Sequence, residues 1–151
     1  MQVRELGHIV LSVKDMERSV HFYRDLLGFK EVSRFELGGQ AVMFSAGRTH
    51  HELLLLEADE DAPVIPHDRT WVGLNHFALK IGTTDDELRA AVAELKDAGV
   101  TIEEMTDHWM THSVYFRDPD GNHVEIYIDV QPELWRQQPA MVGGHGDPLS
   151  L

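Results

Sequence analysis

Two histidines and a glutamate stand at matching places in this sequence: His8 in GHIVLSV, His76 in NHFALKI and Glu125 in NHVEIYI. Two neutral imidazoles and one carboxylate carry a single negative charge, so together they can hold a divalent ion and leave positions open for water, substrate or dioxygen. On charge alone Fe(II), Mn(II) and Zn(II) suit such a set equally. The chain has no cysteine. That excludes thiolate sites, disulfides and a cysteine nucleophile, and restricts any metal to nitrogen and oxygen donors.

The elements that must carry these residues repeat. Leu6-Gly7-His8 recurs as Leu74-Asn75-His76, an offset of 68 (76 minus 8). Residues 6 to 13 alternate, which puts Ile9, Leu11 and Val13 on one face of a strand and His8, Val10 and Ser12 on the other. Asp15 is placed to cap a helix running to about Leu27, with Val20, Tyr23 and Leu27 as its stripe and Gly28 as its stop. Strands follow at Phe29 to Phe35, Gln40 to Ser45 and Glu52 to Leu56, giving the order βαβββ. An acidic, proline-containing linker covers 58–72. The second copy then offers a strand from Asn75 to Ile81 and a helix from about Asp85 to Ala98, opened by Thr84. Strands at Val100 to Glu104, Ser113 to Arg117 and His123 to Ile128 complete it. In that last strand Val124, Ile126 and Ile128 face the helix layer, leaving His123, Glu125 and Tyr127 on the opposite face. Beyond Asp129 a tail with Pro132, Trp135, Pro139, Gly143 and Pro148 reads as irregular, with a short helix near Glu133 to Gln137.

With 151 residues the chain fits one domain: module one about 5–57, linker 58–72, module two about 73–129 and tail 130–151. A formal charge of −13 repels nucleic acid and anionic membrane surfaces. No run approaches the ~20 apolar residues of a membrane span, and the first residues lack a secretory leader pattern, so a soluble cytoplasmic protein is expected.

The segments GHIVLSVKDMERSVHFYRDLLGF and YFRDPDGNHVEIY resemble the opening and closing signatures of the vicinal oxygen chelate superfamily. That superfamily includes glyoxalase I, extradiol catechol dioxygenases, fosfomycin-resistance transferases and methylmalonyl-CoA epimerases. The resemblance covers about residues 5 to 129. It implies an α+β fold of two βαβββ modules whose curved mixed sheets form a cup around a metal, with His8, His76 and Glu125 as ligands, and a homodimer.

Within the superfamily the chain is most similar to extradiol enzymes. Arg48-Thr-His-His-Glu52 resembles the segment carrying their acid-base histidine, which implies that role for His51, with His50 as the fallback. Tyr115, ten residues before Glu125 (125 minus 115), has the spacing of a tyrosine that contacts the substrate oxygen, and His108 matches a histidine that shapes the pocket. The implied activity is Fe(II)-dependent cleavage of an aromatic diol by dioxygen, as in aromatic catabolism. His51 takes and returns the proton, because imidazole titrates near neutral pH.

One feature points elsewhere. Glyoxalase I and the epimerases add a fourth ligand near the end of module one, and the offset of 68 puts the counterpart of Glu125 at Glu57 (125 minus 68). A glyoxalase-type lyase or isomerase using Zn(II) or Ni(II), with Glu57 or else Glu52 as the extra carboxylate, is therefore the runner-up. A fosfomycin-type transferase needs a cationic pocket, for which Arg34, Arg48 and Arg117 are the main candidates. A drug-sequestering protein without metal is the third class. Trp71 and Trp109 flank the expected cup. His21 and His67 read as solvated surface and His112 as structural.

Overall fold

A computed structural model of the chain describes residues 1–64, 72–143 and 146–151. The expected His67 and Trp71 lie outside the described residues. The chain divides into two compact units, Met1–His67 and Asp68–Leu151.

In the first unit, β1 (Ile9–Val13) leads into α1 (Met16–Val20), followed by β2 (Lys30–Glu36), β3 (Gln40–Ser45) and β4 (Leu53–Glu57). Asp15 caps α1 by accepting from the Arg18 amide at 3.0 Å. Residues His21–Leu26 continue α1 as a wide π-type turn, in which the Leu27 amide donates to the Phe22 carbonyl. The wider turn brings Phe22 and Tyr23 into the core and leaves Leu27 half-buried, where a strict 3.6-residue stripe places Leu27 inside. Gly28, at φ 78°, reverses the chain in the left-handed region that favours glycine. The strands form one sheet in the order β1-β4-β3-β2, with β1 parallel to β4 and the other pairs antiparallel. Leu11, Val13, Val42, Phe44, Leu53 and Leu55 of the sheet and Met16, Val20 and Tyr23 of the helical segment are all buried. Each such side chain contributes about 1.5–3 kcal/mol on burial.

β1 begins three residues later than alternation predicts. Arg48 donates from Nη2 to the carbonyls of Leu6 and Gly7, at 3.1 and 2.7 Å, so a side chain rather than a strand neighbour satisfies them. His8 consequently sits immediately before β1.

The second unit repeats the plan with β5 (Phe77–Gly82), α2 (Asp85–Asp97), β6 (Ile102–Asp107), β7 (Thr111–Arg117) and β8 (His123–Asp129). The tail adds α3 (Leu134–Gln137), a 3-10 turn at Pro139–Met141 and β9 (Asp147–Pro148). The sheet order is β5-β8-β7-β6-β9, again with β5 parallel to β8. Thr84 and Glu87 form a reciprocal cap at the start of α2. Leu88, Val92 and Leu95 bury one face of α2, and Val114, Phe116, Val124, Ile126 and Ile128 supply the apolar sheet face. Tyr115, His123, Glu125 and Tyr127 alternate onto the other face.

The fold is therefore α+β, with two βαβββ modules built on sheets of four and five strands. β6 extends to Asp107 by pairing with β7, Thr106 against Ser113 and Asp107 against His112, and the tail adds a short strand on its other edge, Thr106 opposing Pro148 and Asp107 opposing Asp147. Among the described residues no helix is long and apolar enough to cross a membrane.

Candidate metal centre

In the second unit His76 directly precedes β5, and its Nε2 lies 3.2 Å from Oε2 of Glu125. The Glu125 side chain is 11% exposed and that of His76 37%. Nδ1 of His76 lies 2.8 Å from Oδ1 of Asn75. An amide oxygen only accepts, so Nδ1 carries the proton and Nε2 presents a lone pair towards the carboxylate. Two acceptors at this separation repel unless a proton or a metal cation lies between them. Two donors each about 2.1 Å from one divalent ion, at roughly 100° to each other, are about 3.2 Å apart. The pair thus fits a divalent ion in both charge and spacing. Within each unit, among the described residues, no three histidine or acidic side chains gather into a complete site.

Next to Glu125 on the same sheet face stands Tyr115, its direct partner across β7 and β8. The Tyr115 hydroxyl is 3.0 Å from Nε2 of His108. Burial, reinforced by the negative Glu125, pushes the Tyr115 phenol up to about 12. The rings of His76 and His123 lie 5.9 and 5.5 Å from that of Tyr115. Burial lowers His123, against the pull of Glu103, whose Oε2 is 3.4 Å from its Nε2. His112 points away from this group, to Asp85 at 2.6 Å and Asp107 at 3.6 Å, so it ties the start of α2 to the β6–β7 turn.

In the first unit His8 is exposed and its ring centroid lies 4.3 Å from that of His51, which is buried. Burial first, then the neighbouring His8 and His50, lower His51 and favour its neutral form. Glu52, which follows, holds the loop rather than the site: it accepts from the amides of Ala46 and Thr49, both at 2.7 Å. Burial raises its carboxyl, but those bonds prevail and keep it below the usual carboxylate range.

Strand register corrects one expectation. Ala78, two residues after His76, pairs with Glu125, whereas Val10, two residues after His8, pairs with Leu54. The counterpart of Glu125 is therefore Leu54, at an offset of 71 (125 minus 54), and not Glu57. Glu57 pairs with Val13 on the core side of the sheet, alongside Leu53 and Leu55, and accepts from the Gln40 amide at 3.4 Å. The second module inserts three residues between its first and last strands (71 minus 68), and that insertion moves the register.

A cavity of about 550 Å³ opens against Glu125, lined also by Ala78, Met110, Tyr127 and Asp129 and by Trp135 and Val142 of the tail. Trp109, one of the two tryptophans expected to flank the cup, lines a separate cavity with Leu134 and Met141. The contribution of Trp135 and the Asn75 lock on His76 escaped the sequence reading. Asn75 does leave a signal there, as a side-chain acceptor directly before a candidate ligand.

The glyoxalase/bleomycin resistance protein/dioxygenase superfamily model matches residues 5–126, most of the chain. The chain belongs to this superfamily. It is 33% identical over 132 residues to a catechol-2,3-dioxygenase of Bacillus subtilis; the match takes in 87% of this chain but 44% of that protein. It is 30% identical over 127 residues to the glutathione transferase FosA of Serratia marcescens, over 83% of this chain and 82% of the transferase. Among solved structures, a glyoxalase/dioxygenase from Nostoc punctiforme superposes with a TM-score of 0.71 at 28% identity. It covers 83% of this chain and 91% of its own. The chain spans less than half the length of the dioxygenase it matches. Members with dioxygenase and transferase names thus stand at similar distances, and the reaction must be argued from the residues.

Proposed function

We propose that the protein is an extradiol-type ring-cleaving dioxygenase acting on a catecholic substrate with Fe(II) and dioxygen. The observation that carries this reading is the strand register. With Leu54 standing where module two has Glu125, the register offers no fourth carboxylate at that position in module one, which supports a three-ligand set of His8, His76 and Glu125 over a four-ligand one. A glyoxalase-type proton transfer lacks its extra base in such a set. Fosfomycin-type chemistry requires cations for an anionic substrate, yet the cavity beside Glu125 is lined by Asp129 and Tyr127, and Lys80 is already paired with Asp129.

A bound ferrous ion supplies a Lewis acid and a common coordination sphere for diol and dioxygen. The chain's own residues do the rest. His51, whose neutral form its burial favours, takes one phenolic proton and returns it later in the cycle. The Tyr115 hydroxyl, beside Nε2 of His108, donates to the Glu125 carboxylate, and a substrate oxygen held next to Glu125 would receive that hydrogen in its place. Because the Tyr115 phenol titrates only at about 12, it remains a donor at any working pH.

The test is oxygen uptake with a panel of catechols after anaerobic Fe(II) reconstitution, with metal content measured on the same sample. Uptake with a yellow ring-opened product is expected, and His51→Ala should lower turnover by about 10²–10⁴-fold while leaving iron content unchanged. No uptake from iron-loaded protein, or equal loss of turnover and iron in the variant, refutes the assignment.

A further inference from the structure

The turn between β6 and β7 carries a tryptophan in a conformation that large side chains rarely adopt. At φ 67°, Trp109 is, among the described residues, the non-glycine residue that sits in the left-handed region. Across it the Met110 amide donates to the His108 carbonyl at 2.8 Å, so the three residues form a γ-turn of the strained hand. Two further bonds hold the turn: the Trp109 amide donates to Oδ1 of Asp107 at 2.6 Å, and Gln131 Nε2 donates to the Trp109 carbonyl at 3.0 Å. Strain held in place by several bonds at once is a mark of ligand clamps. What this turn presents is an indole, 38% exposed, to a cavity of about 640 Å³. Val130, Leu134 and Met141 supply the rest of the apolar lining, and Asp107 and His112 its titratable groups. Gln131 borders both this cavity and the one against Glu125, but no candidate metal ligand lines it.

The charge at this cavity has one sign. Nδ1 of His112 lies 2.6 Å from Oδ1 of Asp85, and its Nε2 lies 3.6 Å from Oδ1 of Asp107. Two carboxylates outweigh one imidazole in either protonation state, so the group stays negative. No lysine or arginine is among the lining residues. A carboxylate beside an indole attracts an organic cation twice over, by its charge and by the quadrupole of the ring, and repels an anion. We propose that the cavity is a second ligand site, distinct from the metal centre, and that it binds an organic ammonium carried on an apolar body. The ammonium lies between Asp107 and the Trp109 ring, and the apolar body packs on Leu134 and Met141. The cavity volume falls in the range of about 300–1,000 Å³ typical of small-molecule sites. Neither metal nor ring cleavage is needed for this binding, so it stands apart from the function proposed above.

The experiment is a titration of the full chain, metal-free after EDTA treatment and again after Mn(II) loading, with phenethylammonium, phenethyl alcohol and hydrocinnamate. These probes share an aryl body and differ in charge. Calorimetry reads the affinity, and the indole proton–nitrogen correlation signals of the metal-free protein read the location, with the Trp109 signal assigned from Trp109→Phe. The ammonium should bind with a Kd below about 1 mM in both metal states, at least about tenfold more tightly than the alcohol or the carboxylate. It should shift the Trp109 indole signal and leave that of Trp135 in place. Asp107→Asn, which keeps an oxygen to accept from the Trp109 amide, should weaken the ammonium about five- to tenfold, towards the affinity of the alcohol. No binding, equal binding of the three probes, a shift of the Trp135 signal in place of the Trp109 one, loss of binding on metal loading, or unaltered affinity in Asp107→Asn would overturn the proposal.

Discussion

Asn75 is the residue whose replacement tests the metal centre most cleanly, because it touches the candidate ligand without being one. Its side-chain oxygen, 2.8 Å from Nδ1 of His76, holds the proton on Nδ1 and so keeps the Nε2 lone pair directed at Glu125. In Asn75→Ala the ring is free to rotate and to exchange tautomers. A single net hydrogen bond is worth about 0.5–1.5 kcal/mol, or roughly 2- to 12-fold in an equilibrium constant. Outer partners of ligating histidines typically cost 10–100-fold in affinity. The ranges meet near tenfold, and the 37% exposure of His76, which allows water to replace the lost acceptor, argues for no more than that. The assay is chelator competition for Fe(II), or for Mn(II) as an air-stable probe, at fixed pH. Asn75→Ala should weaken binding about tenfold, Asn75→Asp should preserve it because a carboxylate accepts the same proton more strongly, and His76→Ala should abolish it. Binding by Asn75→Ala within twofold of wild type, or an Asp variant as weak as the Ala variant, would refute the tautomer argument.

Gly146 offers a second perturbation: a side chain there would begin 2.0 Å from Thr106 Cγ2 and 3.0 Å from Cε1 of His108. Gly146→Val should push His108 off Tyr115 and lower kcat to the level of His108→Ala with bound metal unchanged, as read by steady-state kinetics and elemental analysis. The Tyr115 phenol, raised to about 12, should not ionise on titration from about pH 7 to 10. A difference spectrum between wild type and Tyr115→Phe near 295 nm should therefore stay flat over that range. Thr84→Ala removes the cap of α2 and should cost about 1 kcal/mol, a fall in Tm of about 2–4 °C by calorimetry. Glu87, held below its ordinary 4.5 by the Thr83 amide and by the hydroxyl and amide of Thr84, stabilises the fold above about pH 4.5 and loses that effect as pH falls through its folded value. The Tm gap between wild type and Glu87→Gln should accordingly shrink on acidification from about pH 6 to about pH 3.

Much of this architecture was legible because period-2 and period-3.6 patterns report directly on which face is apolar. Leu11 and Val13 in β1, Leu88, Val92 and Leu95 in α2, and Val124, Ile126 and Ile128 in β8 are all buried as their spacing implies. Thr84 as the opening of α2 was equally plain, and the structure adds Glu87, three residues on, as the reciprocal half of the cap. Features set by distant partners were not legible. β1 starts late because Arg48, some 40 positions on, takes the carbonyls of Leu6 and Gly7. The edge of β6 is covered by the far end of the chain, β9, a partner more than 30 residues away.

The misplaced counterpart of Glu125 has the same origin and bears most directly on function. An offset measured at the first strands, 68 residues, holds only as far as the chain between the strands has equal length in both modules. Parallel pairing of first and last strands is the constraint that the chemistry obeys, because it sets which side chain of β4 or β8 stands beside the histidine. In module two that position is a carboxylate, Glu125; in module one it is an isobutyl group, Leu54. Glu57 is separated from Leu54 by an odd number of residues, three, and in a strand an odd separation means the opposite face. No adjustment of loop length within the observed register returns Glu57 to the side of His8. That parity, rather than the presence of an acidic residue near the strand end, is what weighs against a four-ligand glyoxalase-type centre and in favour of the three-ligand set proposed above.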